Sequence, residues 1–159
     1  MPNPGWREYI IGISLLLAGC IFLVVQVGSI LQGEHSIFES NGDIHISRSE
    51  FFNELRIVIT IAASIAGGWL LIRQRKTGWI LSLAMLLLFS AIALGALLSL
   101  IQLQIYDTGF FIALAGGCYM LFLLLMHLSL NNKFVLQKND WIRAILLCTI
   151  LGLFYFLLQ

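Results

Sequence analysis

Long apolar stretches alternate with short polar ones along the whole chain. Five windows contain no Asp, Glu, Lys or Arg, and charged residues separate them. A helix that crosses the hydrocarbon core of a bilayer needs about 20 mostly apolar residues. The second and fifth windows are short, but Arg56 and Arg143 beside them can reach the interface and lengthen the spans. The pattern therefore predicts five membrane helices, over about 9–32, 50–72, 78–102, 109–130 and 141–158.

The connection between the first two predicted helices, residues 33–49, is the longest polar stretch. It contains Asn41-Gly42 between alternating residues, which is a strong signal for a β-hairpin with a two-residue turn. Pairing outward from this turn places Phe38 and His45 on one face and three isoleucines on the other. An isolated hairpin is marginally stable in water, so we expect it to rest on the bundle or on a partner. The candidate partner contacts are Ile37, Phe38, Ile44, His45 and Ile46.

Composition places the chain in a membrane. Of its 159 residues, 60% are apolar and 11% are charged, and the mean hydropathy is +0.95. Soluble domains have about 45–50% apolar and about 25% charged residues, which excludes a soluble enzyme and a disordered chain. The net charge of +1 offers no electrostatic footprint for nucleic acid. We predict an all-α integral membrane protein, a five-transmembrane-helix bundle that forms one domain over residues 1–159.

The distribution of Lys and Arg predicts the orientation of the bundle. If all five helices span, the N-terminus, the 73–76 turn and the 131–140 loop share one side with Arg143. That side carries seven basic residues, whereas the other carries only Arg48 and Arg56. Because Lys and Arg are enriched in cytoplasmic loops, we expect a multi-pass protein of the plasma (inner) membrane. Its N-terminus is expected to be cytoplasmic, and its C-terminus and the hairpin to lie outside.

Small residues at four-residue spacing mark candidate packing surfaces. Lipid tails give helices no hydrophobic reason to associate, so close contacts in membranes depend on Gly, Ala and Ser. Every predicted helix after the first has such a stripe, and the bulky segment 86–89 of the third is expected to face lipid. The stripes serve either packing within the chain or contact with a partner subunit. Their central glycines are Gly67, Gly95, Gly117 and Gly152.

The predicted helices offer little chemistry. Their apolar cores contain no ionisable Asp, Glu, Lys or Arg, and such residues are what ion-coupled transport requires inside a membrane. Two polar side chains within the spans stand out: Gln26 suits an interhelical hydrogen bond or a ligand contact, and His127 suits a structural role. The three cysteines form no CxxC pair. We therefore expect no catalytic residue, no cofactor and no metal.

Two alternative interpretations concern short segments. Asp43 and His45, with Glu34 and His35 nearby, are the main cluster of possible metal ligands, although two ligands on a loop make a weak site. The segment 17–20, Leu-Ala-Gly-Cys, has the form of a lipoprotein cleavage site. The apolar run continues beyond Cys20, which favours an uncleaved membrane helix.

These patterns lead us to expect a non-catalytic subunit, accessory or regulatory (immunity-type) partner in a membrane protein complex. Its expected partners are the lipid bilayer and either other membrane protein subunits or further copies of itself. One alternative is a small homo-oligomeric channel or facilitator lined by Gln26 or Glu54. The other is a membrane enzyme acting on lipid or quinone, and its main candidate acid–base groups are Glu34, His35, Asp43 and His45.

Overall fold

The computed structural model describes residues 5–31, 48–134 and 136–157, and throughout these ranges the regular structure is helical. The all-helical class is therefore confirmed for the described part of the chain. The predicted hairpin lies outside the described residues. The helices are α1 (Trp6–Leu31), α2 (Arg48–Ile72), α3 (Lys76–Gln102), α4 (Thr108–Leu128), α5 (Asn131–Phe134) and α6 (Lys138–Leu157).

Four of these helices are long and apolar enough to cross a membrane. The candidate spans are Trp6–Gly28, Glu54–Ile72, Lys76–Gln102 and Thr108–Leu128, which is consistent with a helical multi-pass membrane protein. Helix α6 is not among them, and it begins with three charged residues, Lys138, Asp140 and Arg143, in its first two turns. The fifth crossing therefore stays a prediction.

Helix α3 is the centre of the bundle. Helix α1 packs mainly on α2, α2 packs on α3, and both α4 and α6 pack on α3. Short connections favour packing between consecutive helices, but α6 lies against α3 rather than against α4. The contact is made near the start of both helices, where the rings of Trp79 and Trp141 meet edge to face at 5.1 Å. Helices α3 and α6 therefore start from the same end of the bundle.

The two halves of α3 have opposite environments. Most residues from Gly78 to Phe89 are buried, whereas the second half is exposed or half-buried. The expectation that segment 86–89 faces lipid is wrong for Leu86, Leu88 and Phe89, which are buried, and only Leu87 is exposed. The physical reason is that α2, α4 and α6 surround the first half of α3. Apolar side chains suit a helix core and a lipid environment equally well, so composition could not separate the two.

Three glycines allow a close approach between α1 and α2. Helices α1 and α2 cross at Gly12 and Gly68, where a Cβ added to Gly12 would lie 2.9 Å from the backbone oxygen of Gly68. Further along the same contact, a Cβ on Gly19 would meet Ile65 at 2.7 Å. Real Cβ atoms essentially never come within 3 Å of another heavy atom in this way, so a larger residue at any of these positions would force neighbouring groups to shift. The small-residue analysis had found no such stripe in the first helix.

The turns that flank α3 share one geometry. After α2, the N–H of Gln74 donates to Leu71 and that of Arg75 donates to Leu70. After α3, Gln104 and Ile105 repeat this pair of bonds, which is the Schellman arrangement that ends many helices. Both glutamines have positive φ, 55° and 56°, where glycine is usual. The short reversal after α2 is what makes α2 and α3 antiparallel.

Candidate functional site

The ends of α1, α3, α4 and α6 that carry most of the basic residues meet at one end of the bundle, which we call the basic end. Its basic residues are Arg7, Arg73, Arg75, Lys76, Lys133, Lys138 and Arg143. Glu8 of α1 is buried there, 1% exposed, and forms an ion pair with Lys133 of α5. Arg7 donates a hydrogen bond to Ser129 at 3.1 Å. These contacts join the start of α1 to the connection between α4 and α6.

A buried polar pair lies beneath these contacts. The Ser82 hydroxyl of α3 and His127 Nε2 of α4 are 2.7 Å apart, and both residues are 0% exposed. Ser82 also donates to the backbone oxygen of Trp79 at 3.1 Å. One arrangement satisfies both bonds: a neutral His127 donates from Nε2 to Ser82, which donates to Trp79. The Trp79 ring lies 5.0 Å from the imidazole ring.

The Ser82–His127 pair has the distance of a nucleophile and its general base. Its surroundings differ from those of such a site. The hydroxyl proton is directed to Trp79, no solvent reaches either side chain, and the amides around Ser82 lie within α3 and are committed to helical hydrogen bonds. An oxyanion needs free, preorganised donors. The geometry therefore suits a polar tie between α3 and α4.

The chain matches no family model, no curated protein and no solved structure. Its function is therefore argued from its own residues.

At the opposite end of the bundle, Gln26 of α1 faces Glu54 of α2. The amide Nε2 donates to the carboxylate at 2.6 Å, and Gln26 is buried. Gln26 thus makes an interhelical hydrogen bond within the chain. We had reasoned that a channel lined by Gln26 or Glu54 would point them toward an oligomer axis. Their contact with each other weighs against a pore built on this pair.

A further polar contact joins α1 to α4. The hydroxyl groups of Ser14 and Tyr119 are 2.7 Å apart, and Ser14 also donates to the backbone oxygen of Ile10 at 2.7 Å. Tyr119 therefore donates and Ser14 accepts in the arrangement that satisfies both bonds. Helix α4 is the least buried of the four candidate spans. In a membrane, this contact holds it against α1.

The four stripe glycines have different surroundings. A Cβ on Gly67 would meet the backbone nitrogen of Ser82 at 3.3 Å, so Gly67 packs within the chain at the α2–α3 contact. Gly117 lies at ordinary contact distance from Leu97. Gly95 and Gly152 have no neighbouring atom within 4 Å of the added Cβ. Of the four, these two are open to a partner.

The remaining candidate contacts, Ile37, Phe38, Ile44, His45 and Ile46, lie outside the described residues. So do the possible metal ligands Glu34, His35, Asp43 and His45. Over the described ranges, no group of three or more His, Cys, Asp or Glu side chains comes together. The three cysteines are all free thiols, with Cys20 and Cys118 exposed and Cys148 half-buried.

Sequence analysis missed Ser82 and Glu8, although a signal existed for both. Ser82 lies within the first two turns of α3, and His127 lies in the last turn of α4. Because α3 and α4 are antiparallel, both polar side chains are placed toward the same end of the bundle. Glu8 is the only acidic residue in the first turns of α1, and it could have been matched with the basic loop that precedes α6.

Proposed function

We propose that the protein is a non-catalytic subunit or accessory partner of a membrane protein complex. The observation that carries this proposal is an exposed face on the second half of α3. Ala91, Gly95 and Ser99 follow each other at four-residue spacing, and all three are exposed. Nothing lies within 4 Å of a Cβ placed on Gly95. We call these three residues the α3 small-residue face.

A face of this kind suits a second transmembrane helix. Small side chains let two backbones approach closely, and close approach supplies the dispersion contacts that replace the hydrophobic effect inside a bilayer. The chain itself uses glycine in this way at Gly12 and Gly68. The α3 small-residue face offers the same opportunity on the outside of the bundle, and we assign it to a partner helix.

A site-specific crosslink tests this assignment. A photo-crosslinking amino acid at Ala91 should give one discrete adduct with another protein chain in native membranes. The matched control carries the same amino acid at Leu121, an exposed position of α4, and should give lipid adducts alone. If Ala91 also gave lipid adducts alone, the assignment of the α3 small-residue face to a partner helix would be wrong.

The orientation and the fifth crossing are part of the same proposal. Helix α6 starts beside α3 at the basic end and packs along it through Ala144, which is 1% exposed. A helix that runs beside a membrane-spanning helix from the same end can cross the bilayer to the same depth. We infer that α6 also spans, with the basic end in the cytoplasm and the connection between α1 and α2 outside.

Cysteine labelling in intact cells tests the orientation. A single cysteine at Asn41 should react with an impermeant maleimide added from outside, whereas one at Gln74 should react only after the membrane is permeabilised. The background is the chain with Cys20, Cys118 and Cys148 replaced by Ala. Labelling of Gln74→Cys from outside, with protection of Asn41→Cys, would invert the orientation.

A further inference from the structure

A furrow runs along the seam between α3 and α4, on the side where α6 begins. Near the basic end, α3, α4 and α6 together line an open cavity of about 250 Å³. One turn further along the seam, a second cavity of about 350 Å³ lies between α3 and α4. The furrow exists because α6 packs on α3 and leaves α4 apart. Its walls include Leu83, Leu87 and Leu97 of α3 and Leu114, Leu121 and Leu128 of α4.

The dimensions of this furrow suit a lipid acyl chain. From Leu83 to Leu97, α3 rises about 21 Å at 1.5 Å per residue, and half of the hydrocarbon core is about 15 Å thick. The lining is almost entirely apolar, and the hydroxyl-bearing residues in it are Ser90 and Thr149. Ser90 and Thr149 each donate to a backbone oxygen of their own helix. An alkyl chain in the furrow would therefore leave neither hydroxyl unpaired.

A basic side chain stands at the mouth of the furrow. Lys138, the first residue of α6, precedes the furrow-lining residues Trp141 and Ile145 by three and seven positions, so it shares their helix face. Helical side chains tilt toward the N-terminus of their helix, which for α6 is the basic end. Lys138 therefore extends from the furrow toward the headgroup level.

The neighbouring acidic side chains are engaged in other contacts, so they do not compete with a lipid phosphate for Lys138. Asp140 is buried; its carboxylate accepts a hydrogen bond from the backbone N–H of Gln137 at 3.0 Å. Its other oxygen lies 3.9 Å from Arg143. Glu8 is committed to Lys133. The Trp141 ring borders the furrow at the same level, where tryptophan favours the membrane interface.

We propose that this furrow binds one anionic phospholipid from the leaflet at the basic end. One acyl chain lies along the α3–α4 seam, and the phosphate contacts the Lys138 ammonium group. The apolar furrow holds the chain, and the single lysine at its mouth makes the site selective for a negative headgroup. This site is separate from the α3 small-residue face, because Gly95 lines neither cavity.

Native mass spectrometry of the purified full chain tests the site with two lipids of identical acyl chains, phosphatidylglycerol and phosphatidylcholine. We expect one phosphatidylglycerol to be retained in preference to phosphatidylcholine. Lys138→Gln should reduce that preference about fivefold, the effect of one lysine near an anionic surface. Arg75→Gln removes the same charge from another part of the basic end and should leave the preference unchanged.

A second pair of variants tests the chain in the furrow. Thr149→Phe fills the furrow and should reduce retention of both lipids severalfold, whereas Ile150→Phe lies outside it and should not. Three results would overturn the proposal: equal retention of the two lipids by the natural chain, equal losses for Lys138→Gln and Arg75→Gln, or undiminished retention by Thr149→Phe. Thermal unfolding of each variant in the same detergent separates lost binding from lost folding.

Discussion

Replacing Gly78 by alanine should destabilise the bundle by about 3 kcal/mol, whereas the same replacement at Gly95 should stabilise it. Both glycines belong to α3. A Cβ on Gly78 would run into the backbone of Leu70 and Leu71 in α2, closer than any real Cβ contact. The backbones would have to separate, and overpacking of this kind costs about 1–3 kcal/mol or more. Gly95 has open space, so alanine there gains about 0.5–1 kcal/mol of helix propensity.

Thermal unfolding in detergent measures the two effects. For a chain of this length, a loss of about 3 kcal/mol lowers Tm by about 6–12 °C. The pair is internally controlled, since the substitution, the helix and the detergent are the same. A lower Tm for Gly95→Ala, or an unchanged Tm for Gly78→Ala, would contradict the helix arrangement described above.

Removing Lys133 should destabilise the protein more than removing its partner Glu8. The two side chains form an ion pair, but Lys133 is 39% exposed and Glu8 is 2% exposed. Lys133→Met leaves a buried carboxylate without its cation, which costs about 3 kcal/mol. Glu8→Gln leaves an ammonium group that can turn to water, and the expected loss is about 1–2 kcal/mol.

The double variant gives the sharper result. Glu8→Gln combined with Lys133→Met contains no stranded charge, so its stability should exceed that of Lys133→Met alone. Arg75→Met is the control: it removes one positive charge from an exposed position and should change stability by less than about 0.5 kcal/mol. Additive losses in the double variant would show that Glu8 and Lys133 act independently.

The approximate extent of the five long helices could be read from the sequence, whereas the short helix α5 was not predicted. Charges such as Glu34 and Asp107 interrupt the apolar runs, and a membrane admits few alternatives to a helix between such charges. The described helix ends extend beyond the expected ones mainly at their starts. Helix α3, for example, begins at Lys76 rather than at 78, because its N-cap Arg75 already belongs to the tight turn.

The partners of each helix could not be read in the same way. In water, a polar face identifies the outside of a helix; in lipid, leucine fits both environments. The burial of Leu86 and the openness of Gly95 therefore depend on where α2, α4 and α6 lie. Polar side chains are more informative, since a serine or histidine inside a membrane needs a partner. Matching Ser82 with His127 by depth would have identified the α3–α4 contact.

The mass of the complex extracted gently from its native membrane tests the central claim most directly. Native mass spectrometry should find the protein with a different chain at fixed stoichiometry. Gly95→Leu, which blocks the α3 small-residue face, should release that chain, while Gly116→Leu, another glycine in open space, should retain it. A defined homo-oligomer that survives Gly95→Leu would favour the channel alternative. A monomer carrying only lipid would contradict the account.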